Sequence, residues 1–214
     1  MTGKLRLSGL EKQAEAAGFH RFEWVMDHFK EGDKIARSSA PHYDDRVGKD
    51  ETQDMAADSI KFLKQQGITH VISLNHYADN DKIRKALQQA NIAYTPLPTK
   101  DFSPPTKEQL QEAWKAFSKY PASSLVYCGY GHGRTGTLIS ALQIYAESEK
   151  SSPGSLTRAD YDKNHVEKDT QRQLLDTLQK ELRLKGAKAK GPKTSASSNG
   201  SDMPPKKKKG RQRN

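Results

Sequence analysis

A lone cysteine separated from an arginine by a glycine-rich loop constrains this chain more than any other feature. The run is Cys128-Gly-Tyr-Gly-His-Gly-Arg134-Thr135-Gly136. Before it, Ser124-Leu-Val-Tyr127 reads as a short buried strand. After it, Leu138, Ala141, Leu142 and Tyr145 recur at helical spacing. A strand, a glycine loop and a helix start turn backbone N–H groups and the helix dipole toward one point, which makes an anion site. Helix N-termini and neighbouring cations favour the thiolate form of a cysteine. The loop therefore offers a nucleophile beside an oxyanion cradle, an arrangement suited to attack on phosphorus.

The rest of the chain supplies a fold for that loop. Phe22–Val25 and Lys34–Ser38 read as strands joined by a turn near Gly32, followed by a polar loop through Pro41–Asp50. Ala56, Ile60 and Leu63 mark a helix that stops at Gly67. The β-branched run Ile68–Leu74 reads as a central strand. A short helix over 81–90 and a strand over 92–95 follow. Thr106 and Gln109 then form a capping-box pair opening a helix whose face is Leu110, Trp114 and Phe117. Helices over 156–165 and 168–184 close the pattern. Strand–helix alternation predicts an α/β fold with a central, mainly parallel, twisted sheet of four to five strands flanked by helices. Ligands bind at the carboxyl ends of such strands, where Cys128 lies.

Charge divides the chain. The formal net charge is +10, yet ten of the 36 Lys/Arg and one of the 26 acids fall from Lys185 onward. The remainder is close to neutral. The expected organisation is an N-terminal extension over 1–21, a domain over 22–184 and a disordered basic tail over 185–214, since a segment rich in Gly, Ser, Pro and Lys buries too little to offset its ordering entropy. Lys206–Arg213 fits a monopartite nuclear import signal, and the tail also suits nucleic acid or acidic lipid. No apolar run is long enough for a transmembrane segment, and the N-terminus lacks the apolar core of a signal peptide. The expected location is cytoplasmic or nuclear. One cysteine permits neither an internal disulfide nor a multi-cysteine metal site, and the histidines show no metal-ligand spacing. No metal and no cofactor are expected.

Cys128, Arg134 and Thr135 in C-x5-R-T-G resemble the signature of the cysteine-dependent protein tyrosine and dual-specificity phosphatase superfamily. Three further pieces resemble its compact dual-specificity-like members in the same order. They are Ala36-Arg37-Ser38-Ser39-Ala40-Pro41, the step Gly67–Leu74, and the proline-bounded loop Pro96–Thr106 carrying Asp101. The resemblance covers about residues 22–180 and implies a phosphatase-like fold and hydrolysis of phosphate monoesters through a phosphocysteine intermediate. It assigns Cys128 as nucleophile, Arg134 as the bidentate fork on the phosphoryl oxygens, Asp101 as general acid and then base, and Thr135 as hydrogen-bond donor to the sulfur. Gly129, Tyr130, Gly131, His132 and Gly133 would line the phosphate with backbone N–H groups. Gln171 is the candidate counterpart of a water-positioning glutamine in some members.

Two departures matter. Tyr127 stands where the family usually has a histidine. Tyr130 and His132 replace the lysines that mark members acting on polyphosphorylated inositides, although a protonated His132 would add charge below about pH 6.5. A phosphoprotein is the leading substrate, with tyrosine and serine/threonine both open. An RNA 5′-phosphatase and a phosphoinositide or inositol phosphate phosphatase use the same chemistry. A catalytically weak phosphate-binding module with a nucleic-acid-binding tail is the alternative from another class. Gly131-x-Gly133-x-x-Gly136 also matches a dinucleotide fingerprint, but no strand ending in an acid follows it. Asp79 and Asp81 read as loop and helix-start residues.

Overall fold

The computed structural model describes residues 9–189, with no side-chain description beyond 186. Thirteen elements include α1 (Gly9–Ala16), β1 (Glu23–Val25), β2 (Ile35–Ser38), α2 (Ala57–Gln65), β3 (His70–Ser73), α3 (Asp81–Gln89) and β4 (Ala93–Pro96). They continue with α4 (Lys107–Phe117), β5 (Ser124–Tyr127), α5 (Gly133–Ser148), α6 (Arg158–Lys163) and α7 (Asp169–Ala189). A single 3-10 turn at Asp50–Thr52 precedes α2. The five strands lie in the order β1-β2-β5-β3-β4, all parallel except the edge strand β1. This is the expected α/β sheet, at the five-strand end of the expected range.

The sheet separates two cores because alternate residues of a strand face opposite sides. On one side Val126 and Cys128 join Ile72, Leu74, Leu138, Leu142, Leu175 and Leu178. On the other Leu125 and Tyr127 join Ala36, Val71, Phe62, Leu63 and Leu87. α5 is buried almost throughout, from Gly133 to Glu147, which fixes the helix that carries Arg134. α4 opens with the expected capping box: the Gln109 N–H donates to Thr106 Oγ1 and the Thr106 N–H to Gln109 Oε1. Gly67 ends α2 in the left-handed region at φ 70°, open to glycine at little cost.

Described elements extend past residues 22 and 184 in both directions. Residues 9–21 are not detached from the core, because Ala14, Ala17 and Phe19 are buried in the second cluster and Phe19 packs on Phe62 with ring centroids 5.6 Å apart. At the other end α7 continues to Ala189, so the first residues of the basic segment are helical. The rest of that segment, including Lys206–Arg213, lies outside the described residues. No helix among the described residues is long and apolar enough to cross a membrane.

Candidate active site

The site gathers at the carboxyl ends of the four parallel strands. Cys128 follows β5 and is buried, and the Gly131 N–H donates to its Sγ at 3.3 Å. Gly131 holds φ +100° while passing so close to β2 that a Cβ would lie 2.6 Å from the Ser38 carbonyl oxygen. Only glycine fits that turn. The Arg37–Pro41 stretch braces the loop from outside. Buried Arg37 donates to the Gly131 carbonyl (2.7 Å) and the Asn164 carbonyl (2.9 Å), and the Ala40 N–H donates to the Gly129 carbonyl (2.7 Å). Burial lowers the pKa of Arg37 against the opposing effects of Glu23 and Cys128.

Arg134 sits at the second position of α5 and is buried. Its guanidinium is held by Asp50 through both oxygens, Nη1 to Oδ2 at 2.6 Å and Nη2 to Oδ1 at 2.9 Å. Nη1 also donates to the Thr99 carbonyl at 2.9 Å, and Nη2 pairs with half-exposed Asp101 at 2.8 Å. Burial opposes the charged form, but the hydrogen bond to Asp50 and the charges of Cys128, Asp50 and Asp101 outweigh it and raise the guanidinium's pKa. Asp50 is itself fixed. Its Oδ2 accepts the His76 N–H at 2.7 Å, and its carbonyl accepts from buried Asn75, which Gln53 holds in turn.

A pocket of about 410 Å³ opens above the sulfur, lined in part by Tyr43, Asp101, Phe102, Cys128, Tyr130 and His132. Gly48, Gly133, Arg134, Glu167 and Gln171 complete its lining. Three of the four expected catalytic side chains, Cys128, Arg134 and Asp101, therefore share one cavity with the loop residues, and Thr135 does not line it. Gln171 also reaches it. Fully buried, it accepts the Glu167 and Lys168 N–H groups on Oε1 (3.1 Å each), while Nε2 has no protein partner and lies beside Gly133.

Thr135 and His132 sit differently from the sequence expectation, whereas Asp79 and Asp81 lie in a loop and at a helix start as expected. Thr135 is buried and its hydroxyl makes no hydrogen bond, so the donor on the sulfur is the Gly131 N–H. Tyr127 faces the opposite core, the direction strand alternation dictates, and burial raises its pKa well above the usual value. It lies on the far side of the sheet from the pocket. His132 stacks on His165 with ring centroids 4.2 Å apart, and burial, His165, Arg37 and Arg21 lower its pKa to about 4. It therefore stays neutral where an ordinary histidine would begin to charge. Asp79 pairs with Arg84, and Asp81 lies in the first turn of α3 behind the Asn80 cap. Sequence reasoning missed Asp50, Tyr43 and Glu167. Asp50 lies in a polar stretch with no periodicity, and Glu167 in the link between α6 and α7.

Residues 48–188 match the family described as PTP-SAK, the Swiss Army Knife protein, DSP-PTPase phosphatase domain. The chain belongs to this family. No curated protein matches its sequence. Solved structures share the DSP-PTPase fold at low identity. Kinase associated phosphatase, with its catalytic-site cysteine replaced by serine, gives a TM-score of 0.56 at 15% identity over 70% of this chain and 88% of that one. PTPMT1 in complex with PI(5)P gives 0.55 at 17% identity over 77% and 99%. The core catalytic domain of the PP-IP phosphatase SIW14 from S. cerevisiae, in complex with citrate, gives 0.50 at 17% identity over 76% and 93%.

Proposed function

We propose that this DSP-PTPase domain hydrolyses phosphate monoesters on proteins through a phosphocysteine intermediate. The observation that carries the reading is the convergence of Cys128, Arg134 and Asp101 on one pocket, with Arg134 Nη2 and Asp101 Oδ1 2.8 Å apart. In the first step the Cys128 thiolate attacks phosphorus. The S–P bond forms, the ester P–O bond breaks, and protonated Asp101 gives its proton to the leaving oxygen. The loop amides and Arg134 hold the equatorial oxygens as charge develops.

In the second step water attacks the phosphocysteine and gives its proton to the Asp101 carboxylate. The P–S bond breaks, returning the thiolate and releasing inorganic phosphate. The free Nε2 of Gln171 is suited to orient that water. The Gly131 N–H, already directed at the sulfur, eases departure of the thiolate, the part the family resemblance gave to Thr135. Tyr43, Phe102 and Tyr130 give the mouth aromatic walls that suit a phosphotyrosyl ring.

The test is hydrolysis of p-nitrophenyl phosphate by the full chain. Vanadate-sensitive turnover, abolished in a folded Cys128→Ser variant, is the expected result. No turnover from well-folded protein, or undiminished turnover in Cys128→Ser, overturns the proposal.

A further inference from the structure

The pocket holds more carboxylates than cations. Among the described residues Arg134 is the one cation lining it, against Asp101 and Glu167. Asp50 already matches Arg134 from behind, through both oxygens. His132 brings no charge near neutral pH, since its pKa lies at about 4. Three arginines nearby are paired with carboxylates, and one lysine stands at the rim. Arg21 stacks on the Tyr130 ring at 3.7 Å and pairs with Asp45. Arg46 pairs with Asp44, and Arg172 with Asp162 and Asp169. Lys168 lies 4.8 Å over the Phe102 ring, at the rim.

Glu167 is exposed and held by its own backbone. Its N–H donates to Gln171 Oε1 and its carbonyl accepts from Arg172. Its carboxylate lies against the start of α5, so that a Cβ on Gly133 would meet Oε2 at 2.4 Å. One phosphoryl group entering the loop is compensated by the backbone amides and Arg134. A second phosphate, or an acidic neighbour, would instead face Glu167 and Asp101 across the mouth.

We infer that Glu167 is a specificity-determining residue that favours phosphotyrosyl segments flanked by Lys or Arg and disfavours substrates carrying further phosphates or acidic neighbours. The inference rests on the phosphoprotein reading above and adds the charge class of the segment. Exchanging one flanking anion for a cation about 7 Å from a solvated carboxylate changes the interaction by roughly 1 kcal/mol, or about fivefold.

The experiment compares kcat/KM of the full-length chain on two phosphotyrosyl peptides that differ only in basic or acidic flanks. p-Nitrophenyl phosphate, PI(5)P, an inositol pyrophosphate and a 5′-triphosphorylated RNA complete the panel. The basic peptide should lead the acidic one by about fivefold at low salt, with the ratio falling as salt screens it. Glu167→Gln should bring the ratio toward one and Glu167→Lys should invert it. The lysine-rich tail is common to all variants and cancels in the change of the ratio from wild type to variant; its own pull on the acidic peptide is removed from the wild-type ratio by repeating that measurement at salt high enough to screen the tail. A wild-type ratio near one, a ratio unmoved in both variants, or faster turnover of any polyanion than of the basic peptide overturns the inference. If p-nitrophenyl phosphate is hydrolysed, such a result overturns the charge selection alone; if it is not, the phosphatase reading fails too.

Discussion

Asp50 and Arg134 meet fork to fork, 84 residues apart in sequence, with both carboxylate oxygens on both terminal guanidinium nitrogens and both side chains buried. Bidentate pairing fixes the plane of the guanidinium as well as its position. The arginine proposed to hold a phosphoryl group is thus oriented by the fold itself. Its anchor comes from the segment between β2 and α2, outside the catalytic loop.

Asp50→Asn tests that anchoring. The substitution keeps the shape and removes the charge, leaving Arg134 with Asp101 and the Thr99 and Leu74 carbonyls. Breaking a buried pair by removing one partner costs about 3 kcal/mol or more, which urea unfolding would detect. A misoriented fork should also lower kcat/KM at least tenfold, by analogy with the cost of misplacing a positioning group. Wild-type stability and kinetics together would remove Asp50 from any positioning role.

Asp101→Asn separates acid catalysis from binding. Loss of a positioned acid costs about 10²–10⁴-fold in rate, so kcat on phosphopeptides should fall within that range. The fall should be smaller for p-nitrophenyl phosphate, whose leaving group needs little protonation. Equal losses on both substrates would argue that the residue acts otherwise.

Gly136 is packed beyond what any side chain allows. A Cβ there would lie 1.9 Å from the Asn164 carbonyl oxygen, which accepts from Arg37. Backbone cannot retreat as a flexible side chain can, so Gly136→Ala should destabilise by about 1–3 kcal/mol or more. Gly186→Ala, within α7 and with nothing in 4 Å of the added Cβ, serves as the control and should be neutral or stabilising. Matching denaturation midpoints for the two variants would contradict this packing.

Buried His70 predicts how stability depends on pH. Its ring bonds Ser124 Oγ and Thr95 Oγ1, both at 2.9 Å, and stacks on Tyr120. Burial, aided by the charge of Lys119, lowers its pKa to about 4, while the unfolded chain protonates near pH 6.5. The unfolded state therefore binds more protons between these values. Stability present above pH 6.5 should be lost as pH falls toward 4, by up to about 3 kcal/mol from this residue. His132, lowered to about 4 as well, acts in the same direction. Urea midpoints at pH 7.5 and 4.5 should converge in His70→Gln; an unchanged drop in that variant would exclude His70 as the cause.

Much of the fold was legible because its signals are local. The β-branched run around β3, the Thr106–Gln109 capping box and the glycine ending α2 each act within a few residues. The burial of α1 was harder to read, since Ala14, and Ala17 just beyond the helix, are small and give little apolar signal although both are buried. α5 showed only its apolar face in sequence. Its polar side is buried as well, because other helices cover the side the sheet does not: Asn164 bonds Ser140 and Gln143, and Gln143 donates to the Asp27 carbonyl.

By itself the sequence determined the strand–loop–helix unit, the Cys128–Arg134 spacing and the place of Asp101 in a proline-bounded loop. Backbone sterics and hydrophobic periodicity act over short stretches and leave their mark in residue order. Only the tertiary structure decided what those groups face. It set Asp50 behind Arg134 and brought Gln171 and Glu167 over Gly133. An acid in a polar stretch looks the same whether it meets water or a buried arginine. Its partner is fixed by packing of the whole sheet and its helices.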